Sequence, residues 1–311
     1  MRYLVTGGAG FIGSAIAEAL LARGDAVTVL DNLSSGRESN LERLKGDVVF
    51  ERGDVRDAKA RAKALTGVAG VFHEAAVASV GASIADPITC DDVNTRGTLA
   101  LLEDARAAGI KRFVFAASAA AYGDGPTLPK VETMAPAPLS PYAASKLAGE
   151  HYVRSYAHLH GMRTASLRYF NVFGVHQDPN GEYAAVVPKF VDALLAGKAP
   201  TVFGDGEQTR DFCHIENVVD ANLRAMNSDT VHGESINIAN GESITIRELA
   251  ETLCRLLGRE VRVHFRDARA GDIRHSRANI DLAQQLLGYR PLVSVADGLA
   301  RVADALRQGA P

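Results

Sequence analysis

Tyr142 is followed four residues later by Lys146 in the segment SPYAASK. That spacing is about one helical turn, so phenol and ammonium share one helix face. A free tyrosine titrates near 10, too high for a useful base at neutral pH, but a neighbouring cation favours the phenolate. Such a pair can take the proton of a carbinol that gives up hydride, provided a hydride acceptor is bound beside it. A YxxxK pair alone is found on many amphipathic helices, so its meaning depends on the rest of the chain.

The acceptor's site is legible upstream. TGGAGFIG occupies residues 6 to 13, between the apolar run RYLVT at 2 to 6 and the helical pattern FIGSAIAEALLARG at 11 to 24. Gly7 and Gly10 let the backbone approach a pyrophosphate whose charge sits at the helix N-terminus, and Gly13 permits close contact between helix and strand. A second run, AVTVLD, ends in Asp31, 18 residues after Gly13, where a carboxylate can accept both adenosine ribose hydroxyls and repel a 2′-phosphate. NAD is therefore expected rather than NADP, although Arg37 could instead pair with such a phosphate.

These residues need a scaffold, and the chain alternates strand-like and helical runs as a doubly wound parallel sheet does. AVTVLD, DVVFERGD, AGVFHEAA, KRFVFAAS and RTASLRYF follow RYLVT with helices between, which reads as about seven strands by residue 170. The fold class expected is α/β, a Rossmann domain over residues 1–170 with a smaller substrate-binding lobe over 171–311, some segments of which return to the first. With 311 residues and 47% hydrophobic content a sizeable core is available. A net charge of −3 with no basic run argues against nucleic acid. Cys90, Cys213 and Cys254 lie far apart without a CxxC, so neither a disulfide framework nor a metal site is expected. No apolar stretch approaches a membrane span and no signal peptide is recognisable, so no membrane association and a cytoplasmic location are expected.

TGGAGFIG, Asp31, Gly53-Asp54, HEAA at 73 to 76, Asn94 in VNTRGT, Ser118 in FAASAAAYG, Tyr142 with Lys146, RYFNVFG and the R-x-G-D of residues 269 to 272 together resemble the extended short-chain dehydrogenase/reductases. Within that group the chain is most similar to NAD-dependent nucleotide-sugar 4-epimerases. The resemblance covers residues 1 to about 290. RYFNVFGVHQDPNGEYAAVVPKF, GDGEQTRDFCHIEN and RHS at 274 to 276 look closest to UDP-N-acetylglucosamine 4-epimerases.

That resemblance implies roles. Tyr142 would take the proton of the sugar 4-hydroxyl as hydride passes from C4 to NAD, giving a 4-ketose that turns and receives hydride on its other face. Lys146 would hold the nicotinamide ribose and lower the phenol pKa, and Ser118 would bond the reacting oxygen. Gly7, Gly10, Phe11, Ile12, Gly13, Asp31, Asn32, Asp54, Val55, Ala75, Ala76, Asn94 and Tyr169 would bind the cofactor with Tyr142 and Lys146. Asn171, Arg210, Arg269 and Asp272 would hold the UDP-sugar with Ser118 and Tyr142, the arginines gripping the diphosphate. Ser276 would border the sugar's 2-substituent, where a small residue leaves room for an acetamido group. A homodimer through helices at residues 92 to 108 and 141 to 159 is also implied.

Plainer readings stand beside these. Asp54 could cap a helix, Arg210 and Arg269 could form surface ion pairs, Ser118 could be a small packing residue, and Ser276 could face solvent. His73 is expected to be structural. A 4,6-dehydratase or decarboxylase would want an acid after Ser118, where this chain has Ala119 and Ala120. An idle NAD-binding regulator would need none of the catalytic residues.

Overall fold

A computed structural model describes residues 1–178, 186–260, 263–267 and 273–307. The first strand, β1 (Arg2–Thr6), is followed by helix α1 (Phe11–Ala22) and β2 (Ala26–Asp31). Strands β3 (Val48–Arg52), β4 (Gly70–His73) and β5 (Arg112–Ser118) come next, with helix α2 (Gly97–Ala107) before β5. Helix α3 (Pro141–His160) leads into β6 (Arg163–Tyr169), helix α4 (Ile215–Asn227) into β7 (Glu234–Ile238). All seven strands are parallel, in the order β7-β6-β5-β4-β1-β2-β3. The apolar runs of β1, β2, β4, β5 and β6 follow from burial on both faces.

Six strands, not seven, are complete by residue 169, and the seventh comes from 234–238. The run ESINI is short and half polar, so its pattern alone does not announce a strand of this sheet, whose edge it forms. One face of the sheet is covered by α1 and α4 through Ile16, Leu20, Val218 and Ala225. The other is covered by α2 and α3 through Leu101, Leu102 and Val153.

Past β6 the chain builds a second cluster from Phe173, Phe190, Phe212, Leu249, Leu253 and Leu299. Three small two-stranded sheets join it: Asn171–Phe173 with Phe212–His214, Thr201–Phe203 with His264–Arg266, and Thr209–Arg210 with Ile244–Thr245. These pairings are long-range, which is why only a loosened pattern is visible in the sequence.

Candidate active site

At the carboxyl edge of the sheet β1 gives way to the glycine turn. Gly7 has φ +67°, and a Cβ there would stand 2.7 Å from the Ala75 nitrogen. A methyl at Gly13 would strike the Gly7 carbonyl. Gly10 caps α1 without any side-chain hydrogen bond, so the first amides of the helix are left for an anion. These glycines, Phe11, Ile12, Val55, Ala75 and Ala76 line a cleft of ≈ 450 Å³. A dinucleotide's pyrophosphate fits this cradle because no side chain occupies it.

Asp31 ends β2 at the cleft, where its carboxylate accepts the N–H groups of Ala9 (2.9 Å) and Leu33 (2.7 Å). Those bonds fix its aim, and carboxylate oxygens retain further acceptor capacity. Arg37 lines the same cleft and pairs with Asp178 from the loop beyond β6. Asn32 donates to Asp54 at 2.8 Å, and a guanidinium bond from Arg56 holds the Asp54 carboxyl down at about 2. The helix Ala58–Ala64 is capped by Asp57, so Asp54 is a cleft residue and not an N-cap. Asn94 is buried behind the wall, bonding Val77 N–H at 2.8 Å and Ser145 Oγ at 3.0 Å, and does not itself line the cleft.

Ser140 and Pro141 start α3, the serine accepting the Ala143 N–H at 3.2 Å, and one turn in, Tyr142 and Lys146 both reach the cleft. Lys146 Nζ donates to the Ala116 carbonyl at 2.7 Å and lies 4.9 Å from the Phe115 ring centroid. Burial pulls it down to about 8, opposed by Glu74. The Tyr142 phenol is pushed above its ordinary value by burial, with a Ser118 hydrogen bond working the other way. This departs from the sequence expectation that Lys146 lowers the phenol pKa. In the protein alone the ammonium is turned to a carbonyl, and desolvation wins.

His73 lies between Thr6 Oγ1 (2.7 Å) and Thr98 Oγ1 (2.9 Å), and burial drives it down to about 3. It is a neutral structural bridge. Glu74, which the sequence reading passed over inside HEAA, lines the cleft with Tyr142, Lys146 and Tyr169. Its partner Tyr169 donates to it at 3.0 Å from 95 residues away. Only the oddity of an acid closing an apolar strand could have flagged it.

Asn171 and Arg210 meet in a second cavity of ≈ 370 Å³, walled by Phe170, Val186, Phe190 and Phe203. Arg210 Nη1 is aimed by the Thr209 carbonyl at 2.8 Å, and Ser276 N–H donates to that same residue's carbonyl at 3.1 Å. Ser276 thus lies beside the Thr209–Arg210 strand, half-buried. Arg269 and Asp272 lie outside the described residues. Asp211, also unread in the sequence, is fully buried and accepts N–H groups of Asn240 (2.8 Å), Gly241 (3.1 Å) and Ala278 (3.1 Å). It ties the Arg210 strand to the segment that carries Ser276.

The profile of the NAD dependent epimerase/dehydratase family matches residues 3–239. A UDP-glucose 4-epimerase of Mycolicibacterium smegmatis is 40% identical over 99% of this chain and 99% of its own. Among solved structures, a UDP-N-acetylglucosamine 4-epimerase of Methanobrevibacter ruminantium, in complex with UDP-N-acetylmuramic acid, superposes with a TM-score of 0.94 at 38% identity, covering 99% of this chain and 98% of that one. A dTDP-glucose 4,6-dehydratase of Streptomyces venezuelae, with NAD bound, gives 0.91 at 34% identity over 99% of this chain and 97% of its own. With the glycine cradle, Asp31 and the Tyr142–Lys146 pair in one cleft, this chain belongs to the NAD dependent epimerase/dehydratase family.

Proposed function

We propose that the chain is a UDP-sugar 4-epimerase acting on UDP-N-acetylglucosamine and UDP-N-acetylgalactosamine, with UDP-glucose and UDP-galactose as further substrates. The observation carrying this is that Tyr142, Lys146 and the glycine turn line one cleft, with Ser118 at the end of β5 beside it. NAD, when bound, supplies a two-electron acceptor for the hydride of C4 and returns it to either face.

The chain's own residues do the rest. Tyr142 accepts the 4-hydroxyl proton and gives it back, while Ser118 holds the same oxygen and orients it. Lys146, positioned by the Ala116 carbonyl, holds the nicotinamide ribose. Asp31 and Asn32 take the adenosine ribose and Asp54 the adenine end, with Gly7, Gly10 and Gly13 around the pyrophosphate. Asn171 and Arg210 hold the UDP diphosphate, which leaves the hexose free to turn.

A dehydratase reading has support in the dehydratase neighbour. It needs an acid beyond Ser118, and Ala119 and Ala120 offer none in the turn that follows. Incubation with each UDP-sugar separates the readings: an epimer of unchanged mass supports ours, loss of water supports a dehydratase, and no product supports a regulator. Ser276→Tyr should abolish turnover of the acetamido sugars and spare UDP-galactose, whereas equal losses on both would refute the placement of Ser276 beside the 2-substituent.

A further inference from the structure

Glu74 is the first residue beyond β4 and sits where β4 and β1 part. Its N–H donates to the Thr6 carbonyl at 3.2 Å, and the side chain absent from Gly7 would lie 2.9 Å from the Glu74 carbonyl carbon. The glycine turn therefore packs closely against this residue's backbone. The carboxylate enters the cleft among Ala116, Tyr142, Lys146 and Tyr169. Tyr169 Oη donates to Oε1 at 3.0 Å and accepts from Asn222 Nδ2 at 2.8 Å, and Asn222 is itself anchored to the Val218 carbonyl at 2.8 Å.

The donor to the carboxylate, Tyr169, is neutral and aims it, while the Lys146 ammonium beside it donates instead to the Ala116 carbonyl. Burial pushes Glu74 up to about 7, with Lys146 and Tyr169 opposing. An anion so poorly solvated gains from a cation brought alongside. The oxidised nicotinamide ring carries a positive charge and the reduced ring carries none.

We infer that Glu74 is a positioning residue whose negative charge biases the bound nicotinamide toward its oxidised form. This goes beyond the epimerase reading and rests only on NAD as the resident cofactor. A resting enzyme kept oxidised is ready to accept hydride, and reduced cofactor left by a lost ketose is disfavoured. One charge at close range in a partly dry cleft shifts the balance by about tenfold or more, or roughly 30 mV for a two-electron couple.

The full-length protein loaded with NAD is poised against a soluble redox dye, and the reduced fraction is read from nicotinamide absorbance. Glu74→Gln and Glu74→Met, which both remove the charge, should raise the bound potential by at least that amount, so either suffices if the other fails to fold. Glu74→Asp, which keeps the charge, should stay within about threefold of wild type. Calorimetry with NAD and NADH separately should show the same change in their affinity ratio. Potentials unchanged in Gln and Met, or Asp shifting as far as Gln, overturn the inference while the epimerase reading stands. A wild type that binds neither form overturns the cofactor assignment and this inference together.

Discussion

Tyr142 is the residue on which the proposed chemistry turns, and its surroundings oppose its ionisation until something else is bound. Burial raises the phenol, and Lys146 is engaged with a carbonyl. The base is thus expected to become competent only in the loaded enzyme. Tyr142→Phe should fold, retain NAD and lose about a hundredfold or more in turnover, and activity within a few fold of wild type would refute its role. His73 has the reverse character. Its folded pKa is near 3 against 6.5 unfolded, so the unfolded chain binds the extra proton between those values. Stability from this group is full above about 6.5 and is lost as pH falls towards 3. Replacing His73 with Gln should flatten that part of an acid-unfolding curve, and an unchanged slope would exclude the histidine as its source. Tyr142, Lys146 and Asp31 are legible in sequence because local spacing specifies them. Glu74 and Asp211 are not, because their meaning comes from Tyr169, Asn240 and Ala278, which arrive from distant segments.

At the scale of elements, α3 does more than display the tyrosine. Glu150, two turns along, is 3% exposed and forms a two-pronged pair with Arg168 of β6, at 2.9 and 2.7 Å, while Ser235 of β7 donates to it at 2.7 Å. Helix and two strands are therefore locked at one buried charge pair. Glu150→Gln leaves the Arg168 guanidinium charged without its counter-ion and should cost about 3–5 kcal/mol, read by denaturant unfolding. Replacing both members with apolar residues of similar volume should recover most of that loss, and failure to do so would place the cost in packing instead. The helices and strands as far as β6 follow from periodicity, glycines and caps. β7 does not, since ESINI acquires its place only by pairing with β6.

For the molecule as a whole, α2 and α3 lie side by side, joined by Tyr156 Oη donating to Glu103 at 2.9 Å. The helices Val80–Ala85 and Pro87–Asp91 that pack against α3 carry exposed Val80, Ile84 and Ile88. Both features suit association of two copies through this side. Light scattering at micromolar concentration should give twice the mass of one chain, and a monomer would refute that assembly. Among the described residues no helix is long and apolar enough to cross a membrane.

The late strand β7 bears on how the molecule is born. A nascent chain leaves the ribosome from its N-terminus, so the glycine turn, Asp31 and Tyr142 are all outside before residues 234–238 arrive to close the sheet. Until then the outer edge of β6 has no neighbour, and α4 has not yet covered α1. A naked edge of that kind invites pairing with a sister chain on the same polysome. The interval from residue 170 to residue 234 is therefore the stretch of synthesis over which the β6 edge stays unpaired.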